Sequence, residues 1–396
     1  MADRIFKDEN EIGKTFQNLF PTKEQLEDPQ FEEIFNESME EIKEKLKQNL
    51  VIGFFGTASS GKDSALKALF GINTDEIHPI PGSTKDVKIF KIHKQIYILN
   101  APGFGDIQRE ISDKAREVME DVDIFVYLVN AEGGVTEQEL YDYLELKKTG
   151  KDVAVVLNKI DLMKSDYELE ELAEHTKESL EVDNKDFFLA AFDPHPRIMD
   201  KPYGTEAILN WLAEKLTKAG KELLFAKIVK EKDLICEKVI KKYVVEATII
   251  GATPVPGSDI FFLLPLQIKM GAEIAKIYGK NINKQNIKQL IINILGANVA
   301  KRIYQMALSG AKALGWLPGG QLEEVIVCAL AASIAASGTY GIGKALQFFY
   351  KNDMQVSLES VNDVFNLSVD EYKKSNPVKE ILKQVKEYKS KELKDE

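Results

Sequence analysis

The chain has 396 residues, 44% of them hydrophobic and 29% charged, enough for two ordinary domains with cores of their own plus an extension. A formal net charge of −11 argues against general affinity for nucleic acid, so no nucleic-acid partner is expected. Two cysteines far apart in apolar helical contexts, Cys236 and Cys328, read as inert core residues of a reducing compartment and exclude a disulfide scaffold.

In chain order, residues 1 to about 47 are acidic and polar. Phe31, Ile34, Phe35, Met39, Ile42 and Leu46 recur at helical spacing. They predict an amphipathic helical arm, broken at Pro21 and Pro29, that packs as a flap on the next domain. The N-terminus lacks the basic-then-apolar layout of a signal peptide, and the four histidines lack metal-ligand spacing. The expectation is a cytoplasmic protein.

From about residue 48 to 220 the pattern is α/β. Short apolar, β-branched runs predict strands at Val51–Phe55, Val87–Ile92, Gln95–Asn100, Ile124–Asn130, Val153–Asn158 and Phe187–Ala191. Several are apolar throughout, as in central strands covered on both faces. Only His93-Lys94 separates the second and third, a hairpin signal; the rest read as βαβ units and a mainly parallel six-stranded sheet.

The first strand runs into Gly56-Thr57-Ala58-Ser59-Ser60-Gly61-Lys62-Asp63-Ser64. This is the phosphate-binding pattern G-x-x-x-x-G-K-[ST], with Asp63 where Ser or Thr is expected. Loop and helix-start amides converge into a nest for phosphate oxygens, and Lys62 adds a point charge on them. Asn158-Lys159-Ile160-Asp161 ends a strand further on. A carboxylate there accepts two hydrogen bonds from guanine, and adenine offers neither donor in that arrangement, so Asp161 would reject ATP by being left unpaired. Asn158 would brace the loops and the Lys159 stem would cover the purine.

Between them lie weaker signals. Pro81-Gly82-Ser83-Thr84-Lys85-Asp86 would be a first switch, with Thr84 sensing γ-phosphate and Mg²⁺. Asn100-Ala101-Pro102-Gly103 resembles D-x-P-G; the Gly103 N–H would meet the γ-phosphate, and the loop through Asp106 would be a second switch. After the sixth strand, the Ala191 N–H would approach guanine O6.

Taken together, these elements resemble the Era, EngA and MnmE group of translation-factor-related GTPases. Pro81–Asp86 is similar to that group's P-G-T-T-R-D, and Val129–Gly134 to the turn after its fourth strand. The resemblance covers roughly residues 48–220. It implies GTP and GDP binding, Mg²⁺ dependence and slow hydrolysis coupled to switch loops, with Lys62, Ser59, Thr84 and Gly103 as the catalytic set.

Three positions depart from that pattern. Asp63 replaces a Mg²⁺-ligating hydroxyl, Asn100 replaces a carboxylate that holds Mg²⁺ through water, and Phe104 stands where Ras-type proteins place a glutamine. The first two conserve formal charge if exchanged together, and hard oxygen ligands suit Mg²⁺, which makes Asp63, Thr84 and Asn100 the metal candidates. The alternative is that metal binding is lost; Ser64 is an outside candidate for the hydroxyl. Phe104 cannot polarise water, so catalysis would draw on a partner, self-association through the GTPase domain or a monovalent cation. Ser59 resembles the serine of dynamin-like loops.

After about Lys221 the chain reads as helical to 376, followed by a charged tail at 377–396. Ala252–Met270 resembles the C-terminal domain of unknown function in YcjF-like bacterial proteins. Val325–Gly343 carries no charge and is roughly long enough to cross a bilayer, yet is mostly Ala, Gly and Ser. A packed bundle and a membrane-associating hairpin both remain open, the second placing the protein at the inner face of a membrane. Three functions compete: a GTPase switch, a hydrolysis-poor GTP/GDP sensor, and a dynamin-like GTPase assembling on membranes.

Overall fold

The computed structural model describes residues 27–79, 88–101, 121–253, 263–295 and 323–383, positions 28, 283, 379 and 382 excepted. Two compact units divide the chain: 45–235, and 1–44 together with 236–396.

Helix α1 (Pro29–Lys47) begins at Pro29 instead of breaking there. A proline fits a first helical turn because its missing N–H has no intrahelical acceptor. Phe31, Phe35, Ser38 and Ile42 form its buried stripe. Glu32 pairs with Lys284 and Glu41 with Lys269, each at 2.7 Å, and Lys288 lies over the Phe31 ring. The arm was expected against the domain that follows it; only its end meets that domain, where Lys45 pairs with Glu222 at 2.8 Å, and its earlier turns pack on helices of the C-terminal region. Periodicity reveals a stripe that needs cover but not what covers it.

The α/β unit holds a six-stranded sheet in the order β2-β3-β1-β4-β5-β6. The strands are β1 (Leu50–Phe55), β2 (Lys88–His93), β3 (Ile96–Ala101), β4 (Ile124–Asn130), β5 (Asp152–Asn158) and β6 (Phe187–Ala190). Only β2 is antiparallel to its neighbour, turning back at His93-Lys94 with a bulge between Lys91 and His93. β1 is buried at every position and β4 at every position but its last, which explains their unbroken apolar runs. β1 pairs with both β3 and β4, so the chain crosses to opposite sides of it. That reversal opens a crevice at the carboxyl ends of the strands, where open α/β sheets bind ligands.

Around the sheet lie α2 (Lys62–Phe70), α3 (Glu137–Lys148), α4 (Asp166–Leu180) and α5 (Thr205–Lys218). The unit does not stop near 220. The short α6 (Glu222–Phe225) buries Leu223, Leu224 and Phe225, and Phe225 meets Phe70 edge to face at 6.2 Å. The division falls at 235/236, inside α7 (Lys232–Ala252).

The helical unit continues with α8 (Leu264–Ile277), α9 (Lys284–Leu295), α10 (Glu323–Lys351) and α11 (Leu358–Ser375). Its small residues set helix separation. A Cβ on Gly251 would lie 2.8 Å from the Ala331 carbonyl, one on Gly343 2.8 Å from Ile240, and one on Gly341 2.5 Å from Val369. The uncharged Ala/Gly/Ser stretch of α10 is thus consumed by helix packing. Among the described residues no helix is long and apolar enough to cross a membrane. Cys236 and Cys328 are buried and not joined in a disulfide.

Candidate nucleotide-binding site

The loop between β1 and α2 is shaped by two glycines. Gly56 (φ 139°) and Gly61 (φ 91°) hold angles that favour glycine. Their surroundings forbid a side chain as well: a Cβ at Gly56 would lie 2.3 Å from the Leu128 carbonyl oxygen, and one at Gly61 2.3 Å from Asn158 Nδ2. Ser60 is buried and its hydroxyl donates to the Thr57 carbonyl at 2.9 Å. Lys62 folds back into the loop, its ammonium donating to the carbonyls of Gly56 (2.7 Å) and Thr57 (2.8 Å). Burial pushes the Lys62 amine down to about 8, an effect the neighbouring Asp63 carboxylate partly offsets. Ala58 and Ser59 are exposed at the tip of the loop.

Asn158 ties three segments together. Its Nδ2 donates to the Ser60 carbonyl at 2.8 Å, and its Oδ1 accepts from the Phe192 N–H at 3.2 Å. Lys159 takes a left-handed conformation (φ 67°), uncommon for a side chain with a Cβ, and its ammonium lies 3.7 Å from Glu132. Asp161 is largely buried, and its Oδ2 accepts from the His195 N–H at 3.3 Å. Gly61, Ser64, Asn158, Lys159 and Asp161 line a cavity of about 400 Å³, closed on its other side by the loop from Phe192 to Pro196. A space bounded by the Asp161 carboxylate, a lysine stem and the apolar Leu162, Phe192 and Pro194 suits a flat heterocycle with adjacent N–H donors.

Asp63 and Asn100 are in contact. Asn100 Nδ2 donates to Asp63 Oδ1 at 3.0 Å, and the Thr74 hydroxyl donates to the same oxygen at 2.8 Å. The two departures from the loop pattern therefore form one pair. A carboxylate at 100 would face Asp63 across that distance, whereas the amide satisfies it. Carboxylate, amide and hydroxyl oxygens form a hard donor set that fits Mg²⁺.

One expectation is corrected. The Ala191 N–H is not aimed at a base: it donates to the Tyr203 carbonyl at 3.3 Å, and Tyr203 returns the bond at 2.9 Å. A bridge just past β6 consumes that amide, and the cavity is lined from the next residue onward. Ser64 lines this cavity together with Asp161. Thr84, Gly103, Phe104 and Asp106 lie outside the described residues. Sequence reasoning missed Thr74 and residues 192–196; the proline-flanked Asp193-Pro194-His195-Pro196 after a strand was the one signal for the latter.

Residues 51–159 match the family described as 50S ribosome-binding GTPase, and residues 217–374 match the domain of unknown function DUF697. The α/β unit is a P-loop GTPase domain of the GTP-binding class, and it is joined to a DUF697 region. The tRNA modification GTPase MnmE of Thermoanaerobacter sp. (strain X514) is 29% identical over 35% of this chain and 31% of its own length. Magnetosome membrane protein 22 of Magnetospirillum gryphiswaldense is 29% identical over 35% of this chain and 65% of its own. The probable GTP-binding protein EngB of Aquifex aeolicus is 28% identical over 27% of this chain and 64% of its own. A solved structure of a probable GTP-binding protein engB covers 42% of this chain at 21% identity and a TM-score of 0.32. The chain thus spans about a third of the MnmE it matches and about two thirds of the smaller relatives.

Proposed function

We propose that this protein is a slow GTPase switch. GTP lies with its phosphates in the 56–64 loop and its base in the cavity at Asp161. The observation that carries the reading is the Asn158 tie, which fixes the phosphate loop, the Asp161 segment and the 192–196 loop around one cavity. Asp161 selects guanine by accepting from its two N–H groups; the Lys159 stem covers the ring. Backbone amides and the Lys62 ammonium hold the phosphates and stabilise charge as it spreads over the transferred group.

Mg²⁺ would be held by Asp63 and Asn100, with Thr84 as a third ligand, and would neutralise phosphate charge when bound. Thr74 and Asn100 orient the Asp63 carboxylate. Slow turnover follows from Phe104, which cannot order water. Self-association through the GTPase domain, or a monovalent cation near Ser59, raises it. The helical unit responds to nucleotide state and attaches the protein peripherally to a membrane.

A single-turnover phosphate-release assay tests the switch reading. Release of one phosphate per bound GTP, on a scale of minutes and faster at higher protein concentration, is expected. GTP retained intact over hours would favour the sensor alternative, and fast turnover in dilute monomer would contradict slow basal catalysis.

A further inference from the structure

The Asp161 carboxylate is largely buried, yet among the described residues it receives one hydrogen bond only, from the His195 N–H to Oδ2 at 3.3 Å. The terminal torsion of an aspartate is broad, so an untethered carboxylate turns freely about its axis. Pairing with two neighbouring N–H donors needs both oxygens in the plane of the base edge. A tether on one oxygen restricts that rotation, and a carboxylate still has acceptor sites for two further donors. The sequence leaves little choice about which residue supplies the tether. Pro194 and Pro196 have no N–H, so within Pro194-His195-Pro196 only the middle residue can donate.

The His195 side chain is exposed, and hydrogen bonds rather than burial set its place. Its Nδ1 accepts from the Arg197 N–H at 3.2 Å, and its carbonyl accepts from the N–H groups of Ile198 (2.8 Å) and Met199 (3.2 Å). Accepting from the N–H two residues on is the closure that asparagine and aspartate make in turns; here an imidazole makes it. The ends of the loop are anchored separately. The Phe192 N–H donates to Asn158, and Met199 packs against the core beside the sheet. Between those anchors, among the described residues, the imidazole is the only side chain in a hydrogen bond.

We infer that His195 is a positioning residue for guanine selection. Its imidazole closes the turn to Arg197, the turn aims the His195 N–H at Asp161, and that N–H holds the carboxylate in the plane the base requires. The inference rests on guanine recognition by Asp161 and adds the residue that sets its aim.

The test is calorimetry of GTP and ITP against the full chain and its His195 variants. The base of ITP keeps the N1–H of guanine but lacks the exocyclic amino group. The ratio of the two affinities therefore reports whether Asp161 engages both donors. A variant that merely loosens the cavity weakens both nucleotides alike and leaves the ratio unchanged. His195→Ala keeps the N–H but loses the closure, and should cut the preference for GTP over ITP by about three- to tenfold. His195→Asn, whose Oδ1 can accept in place of Nδ1, should keep most of the preference. Both should melt with the native chain, since the side chain is exposed. His195→Pro also removes the N–H and should cut the ratio at least as far as His195→Ala; if that variant does not fold, the alanine and asparagine variants decide. A preference kept in full by His195→Ala, or lost equally in His195→Ala and His195→Asn, overturns the inference and leaves recognition by Asp161 standing. A native chain with no preference for GTP over ITP, or an Asp161→Ala chain that keeps one, overturns both.

Discussion

Asp63 and Asn100 carry the account at the residue scale, because each makes sense only beside the other. With Asn100→Asp, two carboxylates would face each other near 3 Å. At an effective dielectric near 20 that repulsion is about 5 kcal/mol, reduced by solvent at the exposed Asp63. The single variant should lose most Mg²⁺-dependent GTP affinity in a titration, and the double variant Asp63→Ser with Asn100→Asp should regain a large part. Equal loss in both would break the pairing argument. Lys62 makes a second prediction. Its amine, held down to about 8, loses its proton above that pH in the free protein, whereas a bound triphosphate needs the ammonium. GTP affinity should therefore fall as pH rises through 8, by up to about tenfold per unit. The free protein's own stability moves the other way: between 8 and the ordinary 10.5 the unfolded chain holds the extra proton, so stability rises with pH across that window. Binding that is flat from pH 7 to 9.5 would contradict the burial argument. The phosphate loop and Asn158–Asp161 were legible in the sequence because their function depends on local spacing. The tie from Asn158 to Ser60 and Phe192 was not, since it joins residues 98 and 34 positions apart. Nor was Thr74, which belongs to a short turn with no motif of its own.

Elements of the sheet could be read within a residue or two of their ends, since unbroken apolar runs leave few alternatives for central strands. Helical packing was less legible. The α1 stripe announced burial without naming its cover, and the Ala/Gly/Ser run of α10 was compatible with lipid or protein neighbours. Gly251 shows which one the fold supplies. A methyl there would meet the Ala331 carbonyl and the Ala332 Cα at 2.8 Å, backbone that cannot swing aside. Gly251→Ala gains up to about 1 kcal/mol of helix propensity but costs about 1–3 kcal/mol in overpacking, a net loss of roughly 1 kcal/mol. A thermal melt of the helical unit should drop by about 2–4 °C. A variant that melts higher would show that α7 and α10 are not in this contact.

For the whole molecule, the central claim is that one chain joins a guanine-reading GTPase unit to a helical region that answers to its nucleotide. Recognition of the base comes first, since every later step depends on it. Removing Asp161 leaves guanine's two N–H donors without their charged acceptor, a loss of about 3–5 kcal/mol, or roughly 10²- to 4 × 10³-fold in affinity. The most direct measurement is calorimetry of GTP, GDP and ATP against the intact chain and Asp161→Ala, each with and without Mg²⁺. Tight GTP and GDP binding, strengthened by Mg²⁺ for GTP, no measurable ATP binding, and a large loss in the variant are expected. ATP binding as tight as GTP, or an Asp161→Ala chain that keeps full affinity, would contradict the central claim.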